Sequence, residues 1–77
     1  MTNERKYNCI LRMINHHTQE ADLAGRYGSA VFSNYLKVLN DRKERRKLFI
    51  AWLDFRRLVW EHLDAALYWE NKLRTLN

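Results

Sequence analysis

The sequence has no proline, only two glycines and a single cysteine. Each shortage excludes something. Gly25 and Gly28 stand three residues apart, so helix breakers are confined to one short window and helices are favoured elsewhere. With Cys9 alone no internal disulfide can form, and a reducing setting follows; the other use of Cys9 would be a disulfide between chains. Val, Ile and Thr are few, and no segment sustains apolar/polar alternation, which argues against a sheet. No stretch approaches the roughly 18 uncharged apolar residues of a membrane span. The segment Met1-Thr2-Asn3-Glu4-Arg5-Lys6 is polar and lacks the apolar centre of a secretory signal. The expected location is cytoplasmic.

What is present is charge and aromatic surface. The 77 residues carry a formal charge of +5, which suits nucleic acid, anionic membrane or an acidic protein without choosing among them. Three tryptophans, four tyrosines and three phenylalanines are a large aromatic share for so short a chain, and small helical proteins use them in a core or an interface. A single domain of this size buries only about 60–65% of its unfolded surface, and small chains commonly offset the deficit by oligomerising.

Thr2 and Asn3 are candidate N-caps for a first helix. Tyr7, Ile10, Leu11, Ile14, Ala21 and Ala24 recur at helical spacing, flanked by Met13 and His17, which predicts an amphipathic helix over 4–24. Gly25 suits its C-terminal cap, and Gly25-Arg26-Tyr27-Gly28 reads as a turn. Ser29 then caps a second helix, 29–40, with an apolar stripe of Val31, Phe32, Tyr35, Leu36, Val38 and Leu39. Residues 40–47 contain no apolar side chain, and Asp41 followed by Glu44 matches a capping box with Asp in the first place. A break near 40–41 is therefore expected, with a third helix over 41–75; the competing reading is one continuous helix with a charged middle.

The third helix is the most informative. Leu48, Trp52, Phe55, Val59, His62, Ala66, Trp69, Leu73 and Leu76 follow alternating steps of four and three, a coiled-coil-like seam. Phe49, Leu53, Trp60, Leu63 and Leu67 form a second set beside it. Only Asp54, Arg57, Glu61, Asp64 and Lys72 make a clearly polar strip. The apolar arc is roughly twice the ~100° that a surface helix needs. Such a helix must touch neighbours on two sides. At 1.5 Å per residue the first two helices, ~31 and ~18 Å, laid end to end cover the ~52 Å third helix once. The rest of the arc is left for another chain, and a homodimer is the simplest occupant.

Chemistry-bearing residues are sparse. His16 and Glu20 lie one helical turn apart beside His17, but two such ligands are too few for a closed zinc site. No metal and no cofactor is expected. His62 lies on the seam among apolar residues, where it reads as a core histidine hydrogen-bonded to a partner; the sharper reading is a pH-dependent interface, because burial penalises a charged imidazole. No nucleophile elbow, Gly-rich phosphate loop or pair of carboxylates among apolar residues is present, and the expectation is a non-enzyme without a small-molecule substrate. The best polar candidate is the basic run Arg42, Lys43, Arg45, Arg46 and Lys47, which Lys37, Arg56 and Arg57 extend; it suits phosphates or an acidic partner. The aromatics do not interleave with that run, which weakens single-strand stacking.

Leu23-Ala24-Gly25-Arg26-Tyr27-Gly28-Ser29-Ala30-Val31 resembles the turn of a DNA-binding helix-turn-helix. In that family an alanine near the end of the first helix precedes a turn glycine by four residues. Ala24 and Gly28 match, and Thr18-Gln19 upstream is in keeping. Ser29 and Asn34 depart from the pattern, standing where apolar residues belong, and Gly25 is additional. The resemblance spans residues 18–39 and implies that Ser29, Ala30, Ser33, Asn34 and Lys37 would face a major groove.

The sequence as a whole thus predicts an all-α fold, a helical hairpin or three-helix unit with a long C-terminal helix, dimerising into a bundle. The expected function is that of a small basic regulatory or adaptor protein binding another macromolecule, most simply a protein. Its interface candidates are Phe49, Trp52, Leu53, Phe55, Val59, Trp60, His62, Leu63, Leu67 and Trp69. Nucleic-acid binding through 42–47 is the alternative. The heptad regularity suits helices better than a membrane surface.

Overall fold

The computed structural model describes residues 2–76. Two α-helices pack against each other as an antiparallel hairpin: α1, Thr2–Lys37, and α2, Arg42–Arg74. The molecule measures 60 × 14 × 12 Å, as expected for two helices of 36 and 33 residues side by side.

The break between them sits where the charged segment begins. Val38 N–H donates to the Tyr35 carbonyl (3.2 Å) and Asp41 N–H to the Val38 carbonyl (3.0 Å), closing a tight turn. Asp41 caps α2 in an extended conformation, its carboxylate accepting from Lys43 N–H and Glu44 N–H at 3.2 Å each. Two of the four free amides of the first turn are thereby satisfied. Glu44 adds negative charge at the positive end of the helix, and Lys72 and Arg74 lie at its negative end. The turn needs no glycine, since no described residue has positive φ.

The expected turn at 25–28 is corrected: α1 runs through it without interruption, so the separate helices 4–24 and 29–40 are one. The N-caps expected at Thr2 and Asn3 are also replaced, because both residues are already helical and the cap falls outside the described residues. The glycines serve packing instead. A Cβ on Gly28 would lie 3.3 Å from the Phe55 Cβ, closer than ordinary contact, whereas one on Gly25 would lie 3.9 Å from Val59 Cγ2. With Ala21 and Ala24, both buried, these glycines form a small-residue stretch that Phe55 and Val59 pack against, Phe55 closely. Each glycine costs a helix about 1 kcal/mol relative to alanine; at Gly28 the close approach of Phe55 uses the missing side chain, whereas Gly25 has room for a methyl group.

The core is thin. Ile10, Ala21, Ala24 and Ala66 are the buried hydrophobic residues, and no described large side chain is completely enclosed. Near the turn, aromatic rings do most of the bridging. Phe32 meets Trp52 at 5.4 Å between centroids, and Tyr35 meets Phe49 at 5.9 Å.

The two glycines should respond oppositely to substitution. Gly25→Ala is expected to stabilise the fold by about 0.5–1 kcal/mol through helix propensity and a less flexible unfolded chain. Gly28→Leu is expected to destabilise it by about 1–3 kcal/mol through overpacking against Phe55. Thermal unfolding followed by circular dichroism measures both.

Candidate interaction surface

The hairpin sorts the two apolar sets of α2. All nine residues of the four-three seam, from Leu48 to Leu76, are buried or half-buried against α1. Every member of the side set is exposed: Phe49 41%, Leu53 42%, Trp60 58%, Leu63 42% and Leu67 54%. Of the ten interface candidates, Trp52, Phe55, Val59, His62 and Trp69 therefore pack within the chain. Phe49, Leu53, Trp60, Leu63 and Leu67 stay open to solvent. Neighbouring exposed residues add to the apolar surface at the turn end, with Phe32 and Leu36 on α1 and Ile50 on α2. Tyr27, 60% exposed, stacks on Phe55 from α1. Splitting α1 at its glycines hid this α1 contribution, because register could not be carried past residue 25.

His62 meets a partner that its position on the seam did not reveal. The Nδ1 atoms of His17 and His62 lie 3.0 Å apart, half-buried, so one ring donates and the other accepts. This is a hydrogen bond within the hairpin, and it places His62 on the side of α2 that faces α1. It is also a polar link between otherwise apolar seams, and it ties the registers of the two helices together at mid-length. His16 is exposed and sits edge-on to His17. Among the described residues no three His, Cys, Asp or Glu side chains are grouped to hold a metal ion.

The basic candidates divide. Arg42, Lys43, Arg45, Arg46 and Lys47 surround the turn end and the N-terminus of α2, with Lys37 across the turn at the end of α1. Arg45 is partly spent, donating to the Leu39 carbonyl at 3.2 Å, and Lys47 pairs with Glu44 at 3.7 Å. Arg42, Lys43 and Arg46 are exposed and line shallow hollows with Tyr35, Phe49 and Ile50. Arg56 and Arg57 lie apart, two to three turns further along α2. Arg56 covers the Trp52 ring at 5.5 Å, and Arg57 bridges Asp54 and Glu61 at 3.4 and 3.9 Å. They do not extend the basic end as one patch.

The helix-turn-helix resemblance fails on geometry. Residues 18–37 form one uninterrupted stretch of α1, so no turn sets a second helix at an angle to the first. Ala24 and Gly28 face α2 instead, where their small size is used. No protein-family model, curated protein or solved structure matches this chain. Among the described residues no helix is long and apolar enough to cross a membrane.

The histidine pair makes a prediction about stability. Replacing one member, His17→Leu or His62→Leu, leaves a half-buried ring nitrogen without its partner. The double substitution removes both polar groups. The double variant should be more stable than the sum of the single effects by about 1 kcal/mol in denaturant unfolding; additive effects would show that the pair carries no coupling.

Proposed function

We propose that this chain is a small basic, non-enzymatic regulatory or adaptor protein that acts as a homodimer by binding another macromolecule, most simply a protein. The observation that carries this reading is the exposed apolar surface. Among the described residues, fourteen large hydrophobic side chains stand in solvent on a hairpin whose buried hydrophobic residues are one isoleucine and three alanines. Isolated monomers seldom tolerate an apolar surface of that kind, and a further helical layer would cover it. The hollows on the surface are shallow and lined by a mixture of cationic and apolar side chains, a lining suited to broad contact rather than to enclosing a substrate. The single cysteine suits a cytoplasmic setting.

A second reading is favoured by one feature, the clustering of Arg42, Lys43 and Arg46 at the turn end without ion-pair partners among the described residues. These cations would contact the phosphates of a nucleic acid without reading its sequence.

Sedimentation equilibrium is expected to give twice the 9.4 kDa chain mass at micromolar concentration. A monomer with full helicity would refute the homodimer. Titration of labelled DNA and RNA separates the two readings. If the basic end binds phosphates, affinity at about 50 mM salt falls at least about tenfold by 200 mM and is lost in Arg42→Glu/Lys43→Glu. No binding at the lower salt removes the nucleic-acid reading and leaves the protein-binding one.

A further inference from the structure

The exposed side set of α2 extends in the same four-three rhythm past both of its ends, to Arg46 on one side and Glu70 on the other, with Arg56 inside it. All three charged positions are exposed. The resulting row is a second seam on the outer flank of α2, as regular as the inner one. Its composition is symmetric about Leu58. Arg56 and Trp60 are equidistant from that point, as are Leu53 and Leu63, Phe49 and Leu67, and Arg46 and Glu70.

We propose that a second copy of this chain packs on this row, α2 against α2 and antiparallel, with the twofold axis passing between Arg56 and Trp60, at the level of Leu58 along the helix but on the opposite side from its side chain. The inference rests on the homodimer reading above and assigns its surface, orientation and register. In that register every position of the row meets a complementary one. Leu53 lies against Leu63 of the partner subunit, and Phe49 against Leu67 of the partner subunit, closing two apolar layers on each side of the axis. Arg56, whose guanidinium already rests on an indole at 5.5 Å, reaches the exposed ring of Trp60 of the partner subunit. Arg46 meets Glu70 of the partner subunit at each end of the row. None of the ion pairs among the described residues uses Arg46 or Glu70, so both charges are free for this contact.

Charge selects the orientation. A parallel dimer would set Arg46 against Arg46 and Glu70 against Glu70, placing like charges together at both ends of an apolar interface. The antiparallel arrangement turns both ends into opposite-charge contacts. It is also isologous, so each favourable contact occurs twice.

The test uses disulfide trapping in a Cys9→Ser background. Leu53→Cys alone and Leu63→Cys alone should not cross-link, because each cysteine would lie about 15 Å along the axis from its own symmetry mate. An equimolar mixture of the two single variants should cross-link into a heterodimer under mild oxidation. Circular dichroism of each variant checks that helicity is kept. A charge exchange gives an independent readout. Arg46→Glu and Glu70→Arg should each weaken association about tenfold, and the double variant should restore it. Cross-linking of a single variant with itself would overturn the antiparallel register. A dimer that neither cross-links in the mixture nor responds to the charge exchange overturns this surface while leaving the homodimer reading intact. A helical monomer at all concentrations overturns both.

Discussion

A helix that carries apolar side chains over roughly twice the ~100° arc of an ordinary surface helix cannot be covered by one neighbour. That constraint organises the molecule. α1 is long enough to lie along the whole of α2, and it takes the regular four-three seam. It cannot also reach the flank, where Phe49, Leu53, Trp60, Leu63 and Leu67 remain 41–58% exposed. The thin core follows directly. Two helices enclose a line of side chains rather than a volume, so even the tryptophans of the seam, Trp52 and Trp69, are only half-buried.

The way the seam is built deepens the imbalance. At the middle of the hairpin α1 offers Ala21, Ala24, Gly25 and Gly28, which let α2 come close but contribute little apolar area. The large rings gather near the turn, where Phe32, Tyr35, Phe49 and Trp52 touch across the helices. Between these regions and the open end, the His17–His62 hydrogen bond adds direction rather than hydrophobic stabilisation. A slip of one helix along the other would separate the two rings, so the pair contributes a preference for one register that the small residues cannot supply.

The sequence disclosed α2 far better than α1. The expected span 41–75 and the observed Arg42–Arg74 agree because two independent signals coincide there: Asp41 as cap and an unbroken heptad rhythm. The separation of α2 into a seam and a side set was also legible, though which of them would be inward was not, since that depends on the partner helix. α1 was misjudged because Gly25 and Gly28 were read by propensity alone. Propensity costs only about 1 kcal/mol per glycine, too little to end a helix whose neighbouring residues Ala24 and Phe32 pack on α2, and at Gly28 the missing side chain admits Phe55. The actual turn, Val38-Leu39-Asn40-Asp41, contains neither glycine nor proline and is marked by the loss of apolar residues after it and by Asp41 as a cap. The partner of His62 was invisible for the same reason as the misjudged turn. Without a continuous α1 there was no register to bring His17 opposite it.

The outer flank of α1 does not compete with that of α2 as a second seam. Its exposed large apolar residues, Tyr7, Leu23, Tyr27, Phe32 and Leu36, with Leu39 in the turn, are scattered, and the exposed Asn15, Asp22 and Ser29 interrupt the surface between them. The outer row of α2, apolar from Phe49 to Leu67 except for Arg56, is the longer one among the described residues, and a dimer built there consumes Arg46 but leaves Arg42, Lys43 and Lys47 outside the contact. In an antiparallel dimer the two turn ends point in opposite directions. Their basic clusters then stand about 40 Å apart along the axis, by the rise of the intervening helix. A single compact anionic ligand could not span them. The basic ends would act either as two separate contacts or along one extended acidic surface, so the orientation of the dimer also limits what kind of partner the charge can hold.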